Sequence, residues 1–234
     1  MRLNASSYKL LKTDAEREDF LRDYFERNVR SLDIRRKTQQ ELDPRCTFDA
    51  YETSTEIPDQ CKAKRVCQLF ADRLISRVVS DRNGGIGILM QGEPGCGKTH
   101  LAMAILNAVA KTFPGYYITA MDFFGFMRQK DEGDNTFSRR FKNFCAVSVL
   151  VIDEIGRSSV TDFERNVLRD VFEKRFEIGL PTILITNLDG DELTSALDKT
   201  FTSRLNKSAY QLLFEWEDYR RKTSIMDADP EALF

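Results

Sequence analysis

The chain has 234 residues, of which 41% are hydrophobic and 31% are charged, and its formal net charge at pH 7 is −2. This composition is typical of a globular protein with one main domain. The nearly balanced charge excludes a polycation that coats nucleic acid by bulk charge, so any contact with DNA must come from a local basic patch. No stretch approaches the ~18 apolar residues of a membrane span, and the N-terminus lacks the apolar run of a signal peptide, which predicts a cytoplasmic protein.

The first predicted element is a charged amphipathic helix over residues 14–41. Its apolar stripe, with spacings of four and three residues, consists of Leu21, Phe25, Val29 and Leu32. The helix ends at Asp43-Pro44, because a residue before proline avoids the helical region. The segment is too short to bury this stripe alone, so it either packs on the rest of the chain or docks in a groove of a partner. We expect residues 1–46 to form a helical, partner-binding N-terminal arm.

From residue 47 onward the pattern alternates between helices and short apolar strands. The predicted helices are 60–80, 98–111, 121–130 and 136–144, with a further one between the capping box Thr161–Glu164 and Gly179. The predicted strands are 86–91, 116–119, 147–152, 182–186 and 210–214. Such alternation implies a parallel sheet with helices on both faces. The sequence therefore predicts an α/β domain over residues 47–234, built on a parallel five-stranded sheet.

A glycine-rich loop lies between the first predicted strand and the next helix. It follows the pattern G-x-x-x-x-G-K-[ST] and consists of Gly92, Glu93, Pro94, Gly95, Cys96, Gly97, Lys98 and Thr99. The strand–loop–helix context favours a phosphate-binding P-loop over a chance match. We predict that Lys98 reaches the β- and γ-phosphates of a nucleotide and that Thr99 binds Mg²⁺. His100, the next residue, is counted with the nucleotide site, although we expect no catalytic role for it.

An acidic pair, Asp153 and Glu154, follows the largely apolar run 147–152. Open α/β sheets bind their ligands at the carboxyl ends of the strands, where this pair is expected. We predict that Asp153 holds Mg²⁺ through water and that Glu154 is the general base that activates the attacking water. The guanine-recognition pattern Asn-Lys-x-Asp of GTPases is not matched by residues 186–189, so ATP is the favoured nucleotide.

Two further polar residues are candidates for the same site by their position. Asn187 follows the strand 182–186, which we expect beside the strand that carries Asp153. It either positions the attacking water or caps the next turn. Arg204 either serves a neighbouring subunit as an arginine finger or is an ordinary surface arginine.

Aromatic and basic residues interleave between residues 121 and 144. They are Phe123, Phe124, Phe126, Arg128, Lys130, Phe137, Arg139, Arg140, Phe141 and Lys142. Single-stranded nucleic acid is bound by such combinations, with cations on phosphates and rings under bases. Nearby acidic residues dilute the charge, and a protein core would also use many of the phenylalanines. The candidate contacts for single-stranded DNA are Phe137, Arg139, Arg140 and Lys142.

The cysteines do not indicate a metal site or a disulfide framework. They are Cys46, Cys61, Cys67, Cys96 and Cys145, and the only histidine is His100. None of them forms a C-x-x-C pair, and the spacing that a zinc site needs is missing. We interpret them as reduced thiols of a cytosolic protein.

Taken in order, these motifs resemble the AAA+ helicase loaders of the DnaC/IstB-like group over about residues 47–222. The resemblance is carried by residues 47–51 (Thr-Phe-Asp-Ala-Tyr), 97–102 (Gly-Lys-Thr-His-Leu-Ala), 151–156 (Val-Ile-Asp-Glu-Ile-Gly) and 214–220 (Phe-Glu-Trp-Glu-Asp-Tyr-Arg). It implies an AAA+ ATPase core. The usual lid domain is expected to be missing, since few residues follow Phe214.

The resemblance also implies roles for individual residues. Asn187 corresponds to sensor 1 and Arg204 to the arginine finger of box VII. Arg220 or Arg221 stands in for sensor 2. The stretch 121–144 corresponds to the insertion that contacts single-stranded DNA in related proteins. Loaders of the DnaC branch often carry a second arginine after the finger, whereas this chain has Asn206 and Lys207, so contacts between subunits are expected to be weaker.

The function implied by the resemblance is an ATP- and Mg²⁺-dependent loader with slow turnover. Its arm would bind the hexameric replicative DNA helicase, and the protein would deliver this helicase onto single-stranded DNA and associate with itself through the AAA+ interface. Two alternatives remain. One is an IstB-like ATPase that assists a transposase and binds double-stranded DNA. The other is an adaptor or inhibitor of the helicase that is switched by ATP without hydrolysing it.

Overall fold

Five parallel strands form the centre of the protein in a computed structural model, which describes residues 42–75, 87–110, 112, 115–129 and 136–219. The strands are β1 (Gly87–Gly92), β2 (Gly115–Thr119), β3 (Val149–Ile155), β4 (Thr182–Thr186) and β5 (Ala209–Phe214). Their order across the sheet is β2-β3-β4-β1-β5, and every neighbouring pair is parallel. The predicted parallel five-stranded sheet is therefore confirmed.

Helices connect the strands on both sides of this sheet. They are α1 (Pro58–Ile75), α2 (Lys98–Val109), α3 (Ala120–Arg128), α4 (Thr136–Ala146), α5 (Asp162–Glu177), α6 (Gly190–Leu197) and α7 (Lys199–Ser208). Helix α5 begins at the predicted capping box, in which the side chains of Thr161 and Glu164 each accept a hydrogen bond from the backbone N–H of the other. Such a cap stabilises a helix by about 1 kcal/mol. None of the helices in the described part of the chain has the length and hydrophobicity that a membrane span requires.

The core consists of two apolar layers, one on each face of the sheet. Successive side chains of a strand point to opposite faces, so β3 contributes Leu150 and Ile152 to one layer and Val149 and Val151 to the other. The first layer lies under α3 to α7, and the second lies under α1 and α2. The central strands are apolar along their length because both of their faces are buried. The carboxyl ends of these strands are left to carry polar residues.

A fully buried arginine, Arg175 on α5, ties the amino ends of β3 and β4 together. Its guanidinium donates to the carbonyl oxygens of Phe144, Val147 and Pro181 at 2.6–2.8 Å and to the hydroxyl of Thr182 at 2.9 Å. A buried carbonyl oxygen without a hydrogen-bond donor destabilises the folded state. Arg175 supplies donors to three carbonyl oxygens in the segments just before β3 and β4. No motif in the sequence indicates this role of Arg175.

Five residues that the prediction assigned to the arm, 42–46, contact the α/β body. Leu42 packs against the layer formed by α1 and α2, and the amide of Asn107 on α2 donates to the carbonyls of Asp43 and Cys46 at 2.9 and 2.8 Å. Residues 42–46, assigned to the arm, are therefore attached to the body. The rest of the predicted arm, residues 1–41, lies outside the described residues.

Candidate nucleotide-binding site

A cavity of about 570 Å³ opens at the carboxyl ends of β1, β3 and β4. It is lined by Pro94, Gly95, Gly97, Lys98, Thr99, Asp153, Glu154, Arg157 and Asn187. Strand β4 lies between β1 and β3, so the glycine loop, the tip of β4 and the acidic pair share this edge. The volume falls in the range of small-molecule sites. The structure thus brings most of the predicted site residues together.

The glycine loop has the backbone that a phosphate-binding loop requires. Gly97 adopts a φ of 86°, and a Cβ added there would lie 2.5 Å from the ring of Tyr51, so only glycine fits. The N-terminus of α2, which starts at Lys98, carries no side-chain cap. The first amides of a helix without such a cap are donors for an anion, and the helix dipole favours negative charge there.

Lys98 is already held within the loop. It is 5% exposed, and its Nζ donates to the carbonyl oxygens of Gly92 and Glu93 at 2.6 and 2.7 Å. These contacts hold the ammonium group beside the cavity that its side chain lines. The ammonium group of Lys98 is therefore placed to donate hydrogen bonds to phosphate oxygens without a large movement of its side chain.

Asp153 is fixed by three hydrogen bonds. Its Oδ2 accepts from Thr99 Oγ1 at 2.7 Å and from the hydroxyl of Tyr117 at 2.9 Å, and its Oδ1 accepts from the backbone N–H of Glu154 at 2.6 Å. Mg²⁺ in nucleotide sites is bound by one or two protein oxygens together with phosphates and water. The neighbouring hydroxyl and carboxylate oxygens of Thr99 and Asp153 fit that requirement.

Tyr117 belongs to the site although no motif in the sequence indicates it. It lies on β2, which pairs with β3, and its hydroxyl reaches the carboxylate across the strands. Burial, and then the nearby charge of Asp153, raise the pKa of Tyr117 above the ordinary range of tyrosine. The hydroxyl therefore remains a donor throughout the neutral pH range. A tyrosine one strand away from the acidic pair gives no local signal in the sequence.

A β-bulge explains how two consecutive acidic residues both line the cavity. The pairing of β3 with β4 shifts between Ile152 and Ile155, and Glu154 adopts a φ of 59°. In a regular strand, adjacent side chains point to opposite faces. Bulges re-aim side chains, and a left-handed residue other than glycine costs about 1–2 kcal/mol. The strained backbone thus lies at Glu154, the residue predicted as the general base.

The bulge is held on its β4 side by Thr186. The hydroxyl of Thr186 donates to the carbonyl of Ile155 at 2.7 Å and accepts from the N–H of Leu188 at 3.0 Å. Asn187 lies between these two contacts, and its side chain lines the cavity. The expectation that the strand before Asn187 neighbours the strand of Asp153 is confirmed.

Arg157 lines the cavity although no motif indicated it. Its Nη1 donates to both carboxylate oxygens of Glu154, at 2.8 and 2.9 Å. The pair is partly exposed, with side-chain exposures of 67% for Arg157 and 37% for Glu154. The predicted general base is thus engaged with a cation in this structure.

Four residues assigned to the nucleotide site, Gly92, Glu93, Cys96 and His100, are not among those that line the cavity. His100 was counted with the site, but its Nε2 lies 2.9 Å from the carbonyl oxygen of Thr47, and its ring contacts that of Tyr51. His100 is the third residue of α2, and its side chain points away from the glycine loop. It therefore connects α2 to the segment before α1. Cys96 is buried, and its thiol donates to the carbonyl of Trp216 at 2.7 Å.

The segment after β5, residues 215–219, packs on the glycine loop. The indole N–H of Trp216 donates to the carbonyl of Cys96 at 3.0 Å, and the backbone N–H of Tyr219 donates to the carbonyl of Gly95 at 3.2 Å. A Cβ at Gly95 would overlap the carboxylate of Asp218, so this glycine is needed for the close approach. Arg220 and Arg221, the candidates for sensor 2, lie outside the described residues.

Arg204 does not line the cavity. It lies on α7, and its Nε is 3.4 Å from Oε1 of Glu173 on α5. Its side chain is 57% exposed. An arginine finger acts on the nucleotide of a neighbouring subunit, so this role of Arg204 stays a prediction.

The candidate DNA-contacting residues divide into two groups. Phe137, Arg139 and Lys142 are exposed on α4, and Phe137 stacks on Phe141 with ring centroids 6.2 Å apart. Arg140 is only 5% exposed, and its Nη1 donates to the carbonyls of Phe126 and Gln129 at 2.9 and 2.6 Å. The guanidinium of Arg140 thus connects α4 to the end of α3, and this burial does not favour the predicted contact of Arg140 with DNA.

The fold and the cavity together define a P-loop protein of the AAA+ class. The family model described as IstB-like ATP binding protein matches residues 5–225, and the chain belongs to this family. The replicative helicase loader DnaC of Escherichia coli (strain K12) is 25% identical to it over 186 residues, which cover 78% of this chain and 72% of DnaC.

Solved structures agree with this assignment of the fold. A crystal structure of the DnaC helicase loader matches with a TM-score of 0.61 and 24% identity, over 72% of this chain and 96% of that chain. AMPPCP-bound DnaA from Aquifex aeolicus matches with a TM-score of 0.61 and 19% identity, over 82% of this chain and 59% of that chain. The predicted α/β fold is therefore confirmed.

Proposed function

We propose that this chain is an ATP-hydrolysing loader that binds a hexameric replicative DNA helicase and delivers it onto single-stranded DNA. The observation that carries the proposal is the similarity to DnaC over 186 residues. The cavity supports the ATPase part independently, since the loop, the acidic pair and the tip of β4 all line it.

Each residue of the cavity has a chemical task in this proposal. Lys98 and the amides at the start of α2 bind the β- and γ-phosphates. Thr99 and Asp153 hold Mg²⁺, which neutralises charge on these phosphates when it is bound. Glu154 takes the proton of a water whose oxygen forms a bond to the γ-phosphorus. The bond from this phosphorus to the bridging oxygen breaks, which yields ADP and phosphate.

Two residues complete the site in this proposal. Asn187 orients the attacking water from the tip of β4, which is next to the strand of Asp153. Arg204 approaches the γ-phosphate of a neighbouring subunit and stabilises charge in the transition state. Its exposure on α7, where its ion pair with Glu173 is partly exposed, supports a residue that is available to another subunit.

The exposed surface of α4 is the proposed contact with single-stranded DNA. Phe137 offers a ring to a base, while Arg139 and Lys142 offer positive charge to the phosphates. Arg140 is left out because it is buried. Binding through two cations predicts a modest salt dependence, with a slope of about −0.7 per phosphate that is neutralised.

The first experiment measures ATP hydrolysis by the full chain with single-stranded DNA, with double-stranded DNA and without DNA. We expect slow hydrolysis that single-stranded DNA stimulates, and its loss in Glu154→Gln, which keeps nucleotide binding. Stimulation by double-stranded DNA alone would support the transposase-assisting alternative instead. No hydrolysis under any condition, with ATP still bound, would support the adaptor that is switched without turnover.

The second experiment identifies the client. The full chain, with ATP and Mg²⁺, captures proteins from the lysate of its own host, beside a version that lacks residues 1–41. The deletion stops before Leu42 because residues 42–46 are attached to α1 and α2. Recovery of the replicative helicase by the full chain alone supports the loader and the arm, and recovery of a transposase contradicts the loader.

A further inference from the structure

A tight turn directs Arg157 back to the cavity. The backbone N–H of Arg157 donates to the carbonyl of Glu154 at 3.3 Å, and Glu154 and Gly156 adopt φ values of 59° and 80°. A Cβ at Gly156 would overlap a methyl group of Leu188, so the turn packs closely against the segment that follows β4. The direction of the Arg157 side chain is thus built into the backbone.

The contact that this turn creates occupies the carboxylate of Glu154. Nη1 of Arg157 donates to both oxygens, at 2.8 and 2.9 Å. A carboxylate in this bifurcated contact is a poorer acceptor for the proton of a water molecule. Because both side chains are partly exposed, the pair contributes little to stability and is easily exchanged for a more highly charged partner.

Charge determines which partner Arg157 prefers. The lining of the cavity contains two cationic side chains, Lys98 and Arg157, and Lys98 is engaged by carbonyl oxygens of its own loop. The terminal phosphate of ATP carries more negative charge than one carboxylate, and arginine binds phosphate with strong, charge-assisted hydrogen bonds. ADP lacks that terminal group.

We propose that Arg157 is a positioning residue that changes partner with the nucleotide. It pairs with Glu154 when no terminal phosphate is within reach and moves to the γ-phosphate when ATP is bound. Glu154 is thereby released to accept the proton of the attacking water only when there is a phosphate to attack. This inference rests on the proposed ATPase function and adds to it a residue that distinguishes ATP from ADP.

The test compares affinities for ADP and for the β,γ-methylene analogue of ATP, both with Mg²⁺, by calorimetry on the full chain. Arg157→Ala should weaken binding of the analogue about tenfold and leave ADP binding unchanged within about twofold. Arg157→Lys, which keeps the charge, should recover part of the difference. Lys174→Ala is the matched control, because Lys174 forms a partly exposed ion pair of the same spacing with Glu177 outside the cavity lining.

A double-mutant cycle tests the exchange itself. Glu154→Gln should tighten binding of the analogue by about fivefold or more in the presence of Arg157, and much less in Arg157→Ala. In hydrolysis, Arg157→Ala should raise KM for ATP more than it lowers kcat, because Glu154 is then unpaired at all times.

The outcomes separate this inference from the proposed function. If Arg157→Ala alters both affinities equally, or neither of them, the pair with Glu154 is static and the exchange is wrong, while the ATPase proposal stands. If the unmodified chain binds neither nucleotide, both proposals are wrong. A thermal melt of each variant excludes unfolding as the cause of a lost affinity.

Discussion

Tyr117→Phe removes one hydroxyl from the most tightly hydrogen-bonded carboxylate of the site. The hydroxyl of Tyr117 donates to Oδ2 of Asp153 at 2.9 Å, and the other contacts of this carboxylate come from Thr99 and from the backbone of Glu154. Asp153 is 3% exposed, so its carboxylate depends mainly on these protein donors. The substitution keeps the ring and therefore perturbs packing little.

The expected effect has two parts. A hydrogen bond to a charged group contributes about 1.5–3 kcal/mol, and because the ring of Tyr117 is only half buried we expect Tyr117→Phe to lower the free energy of unfolding by about 1–2 kcal/mol. The second part concerns Mg²⁺. Loss of a partner that orients a metal ligand typically lowers metal affinity by about 10–100-fold, and the two contacts that remain on Asp153 favour the lower end.

The assay combines urea unfolding with calorimetric titration of Mg²⁺ into the protein bound to ATP analogue. Tyr210→Phe is the control, since the same hydroxyl is removed from a residue that is 52% exposed on the edge strand β5. We expect no change in either quantity for the control. If Tyr117→Phe keeps Mg²⁺ affinity within about twofold of the unmodified chain, Tyr117 does not orient the metal ligand and the reasoning is refuted.

Four other substitutions or measurements test separate parts of the structure. Lys98→Ala should abolish ATP binding, because the ammonium group beside the phosphates is lost, and micromolar affinity in calorimetry would contradict the P-loop assignment. Arg175→Met should lower the free energy of unfolding in urea by about 3–5 kcal/mol, since buried carbonyl oxygens lose their donors. Burial raises the pKa of Cys67 and of Cys145 to about 12, so a thiol reagent at pH 8 should label exposed Cys61 and spare these two. The unfolded chain releases these two thiol protons near pH 8.5, whereas the folded chain retains them up to about pH 12. The free energy of unfolding should therefore be unaffected by these thiols below about pH 8.5 and should decrease as the pH rises from about 9 towards 12.

The parts of the site that the sequence predicts are those encoded by neighbouring residues. The glycine loop is contiguous, and its spacing alone determines that Lys98 follows a left-handed Gly97 at the start of a helix. The order of strands and helices likewise determines that Asp153 and Asn187 end at the same edge of the sheet. Local spacing and topology were sufficient for these residues, although their binding of ATP stays a prediction.

The parts that the sequence could not predict depend on contacts between distant segments. Tyr117 reaches Asp153 across two paired strands, and Thr186 holds a bulge whose position no single strand defines. Arg140 is a basic residue in an aromatic and basic stretch, which is typical of DNA contacts. Its burial follows only from the packing of α4 on α3. His100 is adjacent to the loop in the chain, but the turn of the helix directs its side chain to Thr47.

The bulge at Glu154 links these observations to the chemistry. An acidic pair on a regular strand would present one carboxylate to the cavity and bury the other against the core, where an unpaired charge is very costly. The left-handed backbone at Glu154 avoids that outcome, and the same turn continues to Gly156 and returns Arg157 to the cavity. One local distortion therefore places the proposed metal ligand, the proposed base and the cation proposed to restrain this base at the same cavity. A substitution that regularised β3 would consequently impair all three, which is why the strain at Glu154 is better explained by the requirements of the site than by those of the fold.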